Sequence, residues 1–526
     1  MEEIWKRNTY DLVPPSEVPA GVKVISTRFV RKIKWKADPK MNFDGDKSAP
    51  KAFVIERFKS RWVAQAWNLQ KGKDFECSYS AVIATDSERI MTAIAAWYGL
   101  KISAVDLKNF FLIGNMKDAG LEVFVKQAPG FEVAGKEDWV CRLNQALYGH
   151  PVSSRVAQHE LVRILKGIDC KQLETEPMAF KRVDGDKHLT MGAHVDDIKM
   201  TYNDSSLFKE VLKGMEDAKL GVKFVHNPTK FLGLSYEYVG TSVLIHQENN
   251  ARQFLHTLGL TDCKPCFTPM DPNKDRREEE IEDEDFKPCD QHEYQVVCGQ
   301  AIWLHQTRYD LAFAINRRCK KMSKPSEEDF RDMKRLGRYV KADVKRPLVF
   351  NAREHKDQEL QTYIYVDMAL KIKPISSVCA FLGEPDFVNH ENKNAAVLSY
   401  CKEESTTVVS TMDGEMLALN RGTNASDYIV NYREELGYPQ KGPTIIFTDS
   451  QPAIRFLEGT GSAPNRQTRH LRMRVAHIRQ AIAQNRIKLH YVPSHLNCAD
   501  VLTKALSREL HQRHTNNLMG KLPDKK

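Results

Sequence analysis

At 526 residues the chain is too long for one hydrophobic core, and two to four domains are expected at about 150 residues each. Its 41% hydrophobic and 28% charged content excludes a disordered or collagen-like chain, and no run of about 18 apolar residues marks a membrane span. The net charge of +9 suits a nucleic-acid partner, because Lys and Arg displace counterions from phosphates.

In chain order, the N-terminal MEEIWKRNTY lacks the apolar stretch of a secretory signal. KVISTRFVRKIKWK then alternates like a strand with a basic outer face. A turn-rich patch from Asp38 to Asp46 leads into a second strand-like run, KSRWVAQAW. SERIMTAIAAWYGL has helical periodicity from Ser87 to Leu100, and ISAVDLKNFFL reads as a buried strand. HLTMGAHVDDIKMTY has the form of a β-hairpin tipped by two adjacent aspartates. Residues 271–290 are almost devoid of apolar side chains and are expected to be a solvated linker. Helical segments follow from Glu293 to Ala342, and strands alternate with helices from LQTYIYVDMAL to TKALSREL. The closing NNLMGKLPDKK reads as a frayed tail. The eleven cysteines are scattered and odd in number, as expected for reduced thiols. The lone pair Cys263 and Cys266 lacks a second pair at zinc-ligand spacing.

Two sets of acids stand on or beside apolar strands. The first is Asp106 in AVDLKNFF with Asp196 and Asp197 in AHVDDIKM. A buried carboxylate is costly unless paired, and three such groups make a hard oxygen site suited to magnesium. A polar turn is the plainer alternative for Asp196-Asp197. The second set is Asp367, Glu415, Asp449 and Asp500, each near a strand end or a helix start, with His495 ahead of the last acid as a candidate proton shuttle. Singly, each is also readable as a helix cap or surface charge; their order is what suggests a two-metal nuclease.

These segments resemble the reverse transcriptase and RNase H of copia-type long-terminal-repeat retrotransposon polyproteins. The likeness runs collinearly from about residue 3 to residue 508, through NTYDLVPP, KSRWVA, SAVDLKNFFLIGNM, VCRLNQALYG, FLGLSYE, AIWLHQTRYDLAFAI, TDSQPAI and ADVLTKAL. It implies an α+β fold. Fingers and palm would cover 1–270, a linker and helical thumb or connection 271–355, an α/β RNase H-like domain 356–510, and a tail 511–526. It implies RNA-directed DNA polymerisation at Asp106, Asp196 and Asp197, and RNA-strand hydrolysis at Asp367, Glu415, Asp449 and Asp500, with two Mg2+ ions in each site. Lys59 and Arg61 would meet the triphosphate, Phe111 would guard the sugar pocket, and Phe231, Leu232 and Gly233 would grip the primer end. The implied partners are RNA template, DNA primer, their hybrid and deoxynucleoside triphosphates, with no membrane. The implied location is the cytoplasm or nucleus, or a virus-like particle for an intact element.

The departures from the family cluster near the polymerase pocket. Val152 stands where a nucleotide-contacting glutamine is usual, Ala157 replaces a tryptophan, and His194 replaces the tyrosine before the aspartate pair. Phe110 stands for a small residue, and its ring is expected to crowd the nucleotide sugar. Asp413-Gly414 adds a residue before Glu415, yet all seven acids remain. No capsid, protease or integrase segment is recognisable, so a processed product, a truncated element or a derived host gene is expected. The alternative to catalysis is a nucleic-acid-binding protein that keeps the fold without polymerising.

Overall fold

The computed structural model describes the chain apart from residues 38–52, 119, 274–286, 372, 406–407, 409, 460–471 and 524–526; for 35–37, 53 and 54 it describes the backbone alone. The expected turn at 38–46 and the acidic stretch 278–285 lie outside the described residues.

A short helix α1 (Glu2–Lys6) leads to a small sheet of β1 (Tyr10–Val13), β2 (Val24–Ile25), β6 (Phe124–Lys126) and β7 (Val140–Leu143), ordered β1-β7-β6-β2. The alternating runs form an antiparallel ribbon, β3 (Thr27–Ala37) with β4 (Phe53–Ala64), in which Lys32 faces Lys59 and Val30 faces Arg61. Helix α2 (Thr85–Tyr98) is buried at every residue from Ser87 to Trp97 and stops at Gly99, whose φ of 66° supplies the left-handed cap.

Strands β5 (Lys101–Lys108), β8 (Lys171–Gln172), β9 (Ala179–Asp184), β10 (Lys187–His194), β11 (Asp197–Tyr202) and β12 (Gly221–His226) build a six-stranded sheet, ordered β12-β5-β11-β10-β9-β8. Strand alternation assigns its two faces. Ile198 and Met200 join a core with α3 (Ser153–Gly167) and α4 (Ser205–Asp217), whereas Lys199 between them meets α2. The run NFFL does not continue β5. Asn109 takes a left-handed φ of 57° and turns the chain into a 3-10 segment, Phe110–Ile113.

The next sheet pairs β13 (Lys230–Phe231), β14 (Leu234–Val239), β15 (Ser242–His246) and β16 (Leu348–Phe350) in sequence order. Between β15 and β16 the chain makes α5 (Glu248–Thr257), α6 (Gln291–Leu304), α7 (Ala312–Cys319) and α8 (Glu327–Ala342), which share one core. The helical region thus begins before 271 and returns to a strand of the preceding sheet. Ser326 and Asp329 start α8 with a capping box.

The last sheet joins β17 (Gln361–Ala369), β18 (Ile375–Gly383), β19 (Ala396–Glu403), β20 (Thr444–Thr448) and β21 (Ile487–Tyr491) in the order β19-β18-β17-β20-β21. The first three strands are antiparallel, and β20 and β21 run parallel to β17. The crossover from β19 to β20 is α9 (Thr411–Leu436), and α10 (Gln451–Leu457) and α11 (Arg472–Ala483) precede β21. This mixed five-stranded sheet with its long helix is the RNase H-like α/β unit, and with the preceding sheets it makes the chain α+β. Ile90, Ile94 and Trp97 of α2 belong to the same core cluster as Tyr363, Ile364 and Ile446 of this unit.

The expected tail instead contains α12 (Arg508–Met519), with His511, His514, Leu518 and Met519 buried. Burial pushes the His511 imidazole down to about 4 and that of His514 to about 3, so both are neutral at pH 7 and pack like apolar rings. Polar letters hid an interior helix.

Candidate active sites

Asp106 and Asp197 stand directly opposite each other on the antiparallel strands β5 and β11. A two-residue turn, Val195-Asp196, closes the hairpin between paired His194 and Asp197. The amide of Leu107 donates to the Asp196 carbonyl at 2.8 Å and pins the tip to β5. Val195 sits at φ 57°, a conformation a β-branched residue rarely adopts and one that clusters at functional sites. All three acids are exposed, which corrects the expectation of buried carboxylates. They occupy the solvent-facing positions of the sheet and its turn. Partial burial, then the charges of Asp196 and Asp106, raise the Asp197 carboxyl above its usual range.

Ribbon strand β4 brings Lys59 within the field of Asp196, and burial followed by neighbouring Arg61 lowers the Lys59 ammonium. Arg61 lies 5.3 Å over the Tyr148 ring, and Phe111 meets that ring edge-on at 4.9 Å. Arg61 Nε is buried with no hydrogen-bond partner among the described residues. Tyr148 was not singled out in the sequence, although it lies in VCRLNQALYG. Its carbonyl accepts from the Ala64 amide at 2.8 Å, and a side chain at the next residue, Gly149, would strike the Ala64 carbonyl. That close approach is the signal the glycine carried.

Two expected pocket residues lie elsewhere. Val152 is 3% exposed in an apolar cluster with Trp62, Ala64 and Val156, so its side chain fills core rather than lining a nucleotide site. Phe110 is likewise 3% exposed, in one cluster with Ala157 and Leu161. The 3-10 turn directs it inward and leaves Phe111 at the surface side, so Phe110 does not crowd a sugar. A large ring at 110 and a small residue at 157 within one core is a size exchange.

The turn Leu232-Gly233 joins β13 to β14 with φ values of 48° and 78°, while Phe231 is buried beneath it. Lys199 Nζ lies 5.9 Å from the Phe231 ring and 4.6 Å from that of Tyr236. It is ion-paired with Glu88 of α2, which also accepts from the Tyr236 hydroxyl at 2.8 Å. Burial alone would raise the Glu88 carboxyl, but Lys199 beside it holds it below its ordinary value. Sequence reasoning missed this buried pair, which fastens the aspartate hairpin to the turn at 232–233.

The second set of acids is drawn tightly together. Carboxylate oxygens of Asp367, Asp449 and Asp500 lie within 4.8 Å of one another. Asp367 sits near the carboxyl end of β17, and Asp449 directly follows β20, the edge of a parallel pair where ligands gather. Asp500 lies in the 3-10 segment Cys498–Leu502, and Glu415 in the opening of α9. The additional Asp413 is absorbed in the first turn of α9, where its amide donates to the Ser410 side chain. Thr503 Oγ1 donates to Asp367, and Ser494 Oγ donates to Asp449 at 2.7 Å. Burial, then Asp367 and Asp449, pushes Glu415 up to about 8; burial and Asp367 push Asp500 up to about 8. Glu415 Oε2 and Asp500 Oδ1 are buried with no hydrogen-bond partner among the described residues. Clustered hard oxygens with unsatisfied lone pairs fit a divalent cation. His495 is exposed, beside Ser494. Among the described residues the polymerase acids form no comparable three-ligand group.

Two carboxylate-bearing units, one on an antiparallel palm hairpin and one at the edge of an RNase H-like sheet, define the class of reverse transcriptases with an attached nuclease fold. The sequence profile described as "Reverse transcriptase (RNA-dependent DNA polymerase)" matches residues 7–272, and the chain belongs to that family. It is 26% identical over 517 residues to the retrovirus-related Pol polyprotein from transposon RE1 of Arabidopsis thaliana, covering 97% of this chain and 32% of the relative. It is 25% identical over 514 residues to that from transposon TNT 1-94 of Nicotiana tabacum, covering 97% and 36%. The chain therefore spans about a third of the length of these curated relatives. A solved foamy viral protease-reverse transcriptase in complex with RNA/DNA hybrid aligns at a TM-score of 0.40 and 12% identity, over 83% of this chain and 49% of that one.

Proposed function

We propose that this chain is an RNA-directed DNA polymerase with a fused ribonuclease H, of the copia retrotransposon type. The observation that carries the reading is the direct pairing of Asp106 with Asp197, with Asp196 at the hairpin tip in the field of Lys59. In this reading a primer 3′-hydroxyl attacks the α-phosphate of a deoxynucleotide and pyrophosphate leaves. Lys59 and Arg61 neutralise the triphosphate, Phe111 lies against the sugar, and the turn at 232–233 holds the primer end. Asp106, Asp196 and Asp197 would hold magnesium in the polymerase site, and Asp367, Glu415, Asp449 and Asp500 in the nuclease site. Magnesium would supply charge stabilisation of the attacking and leaving oxygens. In the nuclease half, His495 relays a proton at the scissile RNA phosphate.

Template and hybrid are held through phosphates and duplex shape. The basic runs suit this unevenly. VRKIKWK lies on the ribbon, but Arg318 of NRRCKKMSK is buried against Asp332 at 2.7 Å, and 466–471 of RQTRHLRMR lie outside the described residues.

Primer extension and hybrid cleavage by the purified full chain test the reading. Asp106→Asn should cut extension alone by about 10²–10³-fold, and Asp449→Asn cleavage alone by a similar factor. Extension that survives Asp106→Asn overturns the polymerase assignment. Salt-sensitive hybrid binding with neither reaction would leave a nucleic-acid-binding protein of this fold.

A further inference from the structure

Lys504 enters the nuclease cluster as its own cation. Its Nζ lies 3.0 Å from Asp500 Oδ2 and 3.8 Å from Asp367 Oδ2. The two carboxylates are 7% and 4% exposed, whereas the lysine side chain is 39% exposed. The ammonium therefore stands at the mouth of the site, against two of the three acids whose oxygens are close enough to share one metal ion. Lys504 also lines a small cleft with Thr268, Phe313, Leu506 and His511, and its 39% exposure leaves the side chain a path towards solvent. A lysine suits such a task, being a compact charge on a flexible four-carbon stem.

Asp367 and Asp500 are buried and Glu415 and Asp449 half-buried, and the Lys504 ammonium offsets part of the mutual repulsion that raises Glu415 and Asp500. We infer that Lys504 is a tethered counter-ion of the nuclease site, lodged on Asp500 and Asp367 while the acids lack metal and displaced along its stem as a divalent cation enters. The inference rests on the nuclease reading above. A group that stabilises the metal-free state more than the loaded one must weaken metal binding by the same factor. Lys504 thus keeps the acids assembled and sets how much magnesium the site demands. A lysine that merely oriented metal-bound acids from outside would have the opposite effect, strengthening metal binding.

The test is calorimetric titration of Mg2+ into the full chain carrying Asp106→Asn, Asp196→Asn and Asp197→Asn, which silences the other set of acids. Lys504→Met should bind Mg2+ about ten-fold more tightly. Its Tm in chelator should fall below that of the parent, and saturating Mg2+ should close the gap. Lys504→Arg, which keeps the charge, should stay near the parent in affinity. If Lys504→Met fails to fold, Lys504→Gln is read in the same way. Affinity unchanged or weakened on losing the lysine overturns the inference. Asp449→Asn separates the two levels. Mg2+ binding that survives it defeats the nuclease reading and this inference with it. Binding that it abolishes but that ignores Lys504 defeats this inference alone.

Discussion

The two sets of carboxylates solve opposite problems. Asp106, Asp196 and Asp197 are exposed on a hairpin, where partial burial and its neighbours' charges raise the Asp197 carboxyl. The precision of that site comes from behind, where Lys199 and Glu88 fasten β11 to α2 and, through Tyr236, to the sheet carrying the turn at 232–233. Asp367, Glu415, Asp449 and Asp500 are instead gathered where burial and mutual repulsion raise three of them above their normal range. The hairpin site carries its strain in the backbone of Val195, the four-acid site in its charge. The second set is drawn together before any ligand is present.

Removing one partner of the anchor is the harshest way to test this contrast. Lys199→Met strands a buried Glu88 carboxylate and should cost about 3–5 kcal/mol. Glu88→Leu with Lys199→Met should recover most of that stability in urea melts. If the double variant also extends primers like wild type, the ion pair is mere packing; lost extension in a stable protein shows that it positions the hairpin. A single variant as stable as wild type would end the contrast.

The palm core comes next. Phe110→Ala should open a cavity and cost about 3 kcal/mol without lowering the nucleotide KM. Adding Ala157→Trp should restore part of the loss. A KM that falls on Phe110→Ala would return that ring to the pocket and erase the size exchange.

The smallest effect is the most direct. Asp449→Asn relieves repulsion, so it should raise the Tm of the metal-free protein by the equivalent of about 1 kcal/mol. Asp196→Asn, an exposed change, should leave Tm within error. Equal responses at the two sites would show that they do not differ in stored charge.

Much of this was legible in the sequence wherever periodicity and motif agreed. The hairpin of 188–202, the helix from Ser87 and the order of the seven acids needed no coordinates. What escaped was polar chemistry used as interior. His511 and His514 read as tail, and nothing in the pattern singled out Lys199, Glu88 or Arg433, the last of which is 1% exposed. Alternation says which face a residue takes, but not that the opposite face carries a partner charge. Phe110 and Val152 were misread for a related reason. A motif gives position along the chain, while the left-handed Asn109 decides which of two adjacent rings turns inward.

Helix α2 bears on how such proteins can be recombined. A helix buried on all sides has no face left for solvent, and here its neighbours come from both halves. The Tyr428 hydroxyl of α9 meets Ser87, and the carboxylate of Glu435, also on α9, accepts from the amides of Glu174 and Thr175 at 3.2 and 3.0 Å. A cut near residue 355 would bare Ile90, Ile94 and Trp97 on one fragment and their partners Tyr363 and Ile364 on the other. The two halves are therefore not interchangeable cassettes. A nuclease grafted from a relative would have to bring its own matching half of the α2 seam, and the two halves should drift through sequence space as a pair.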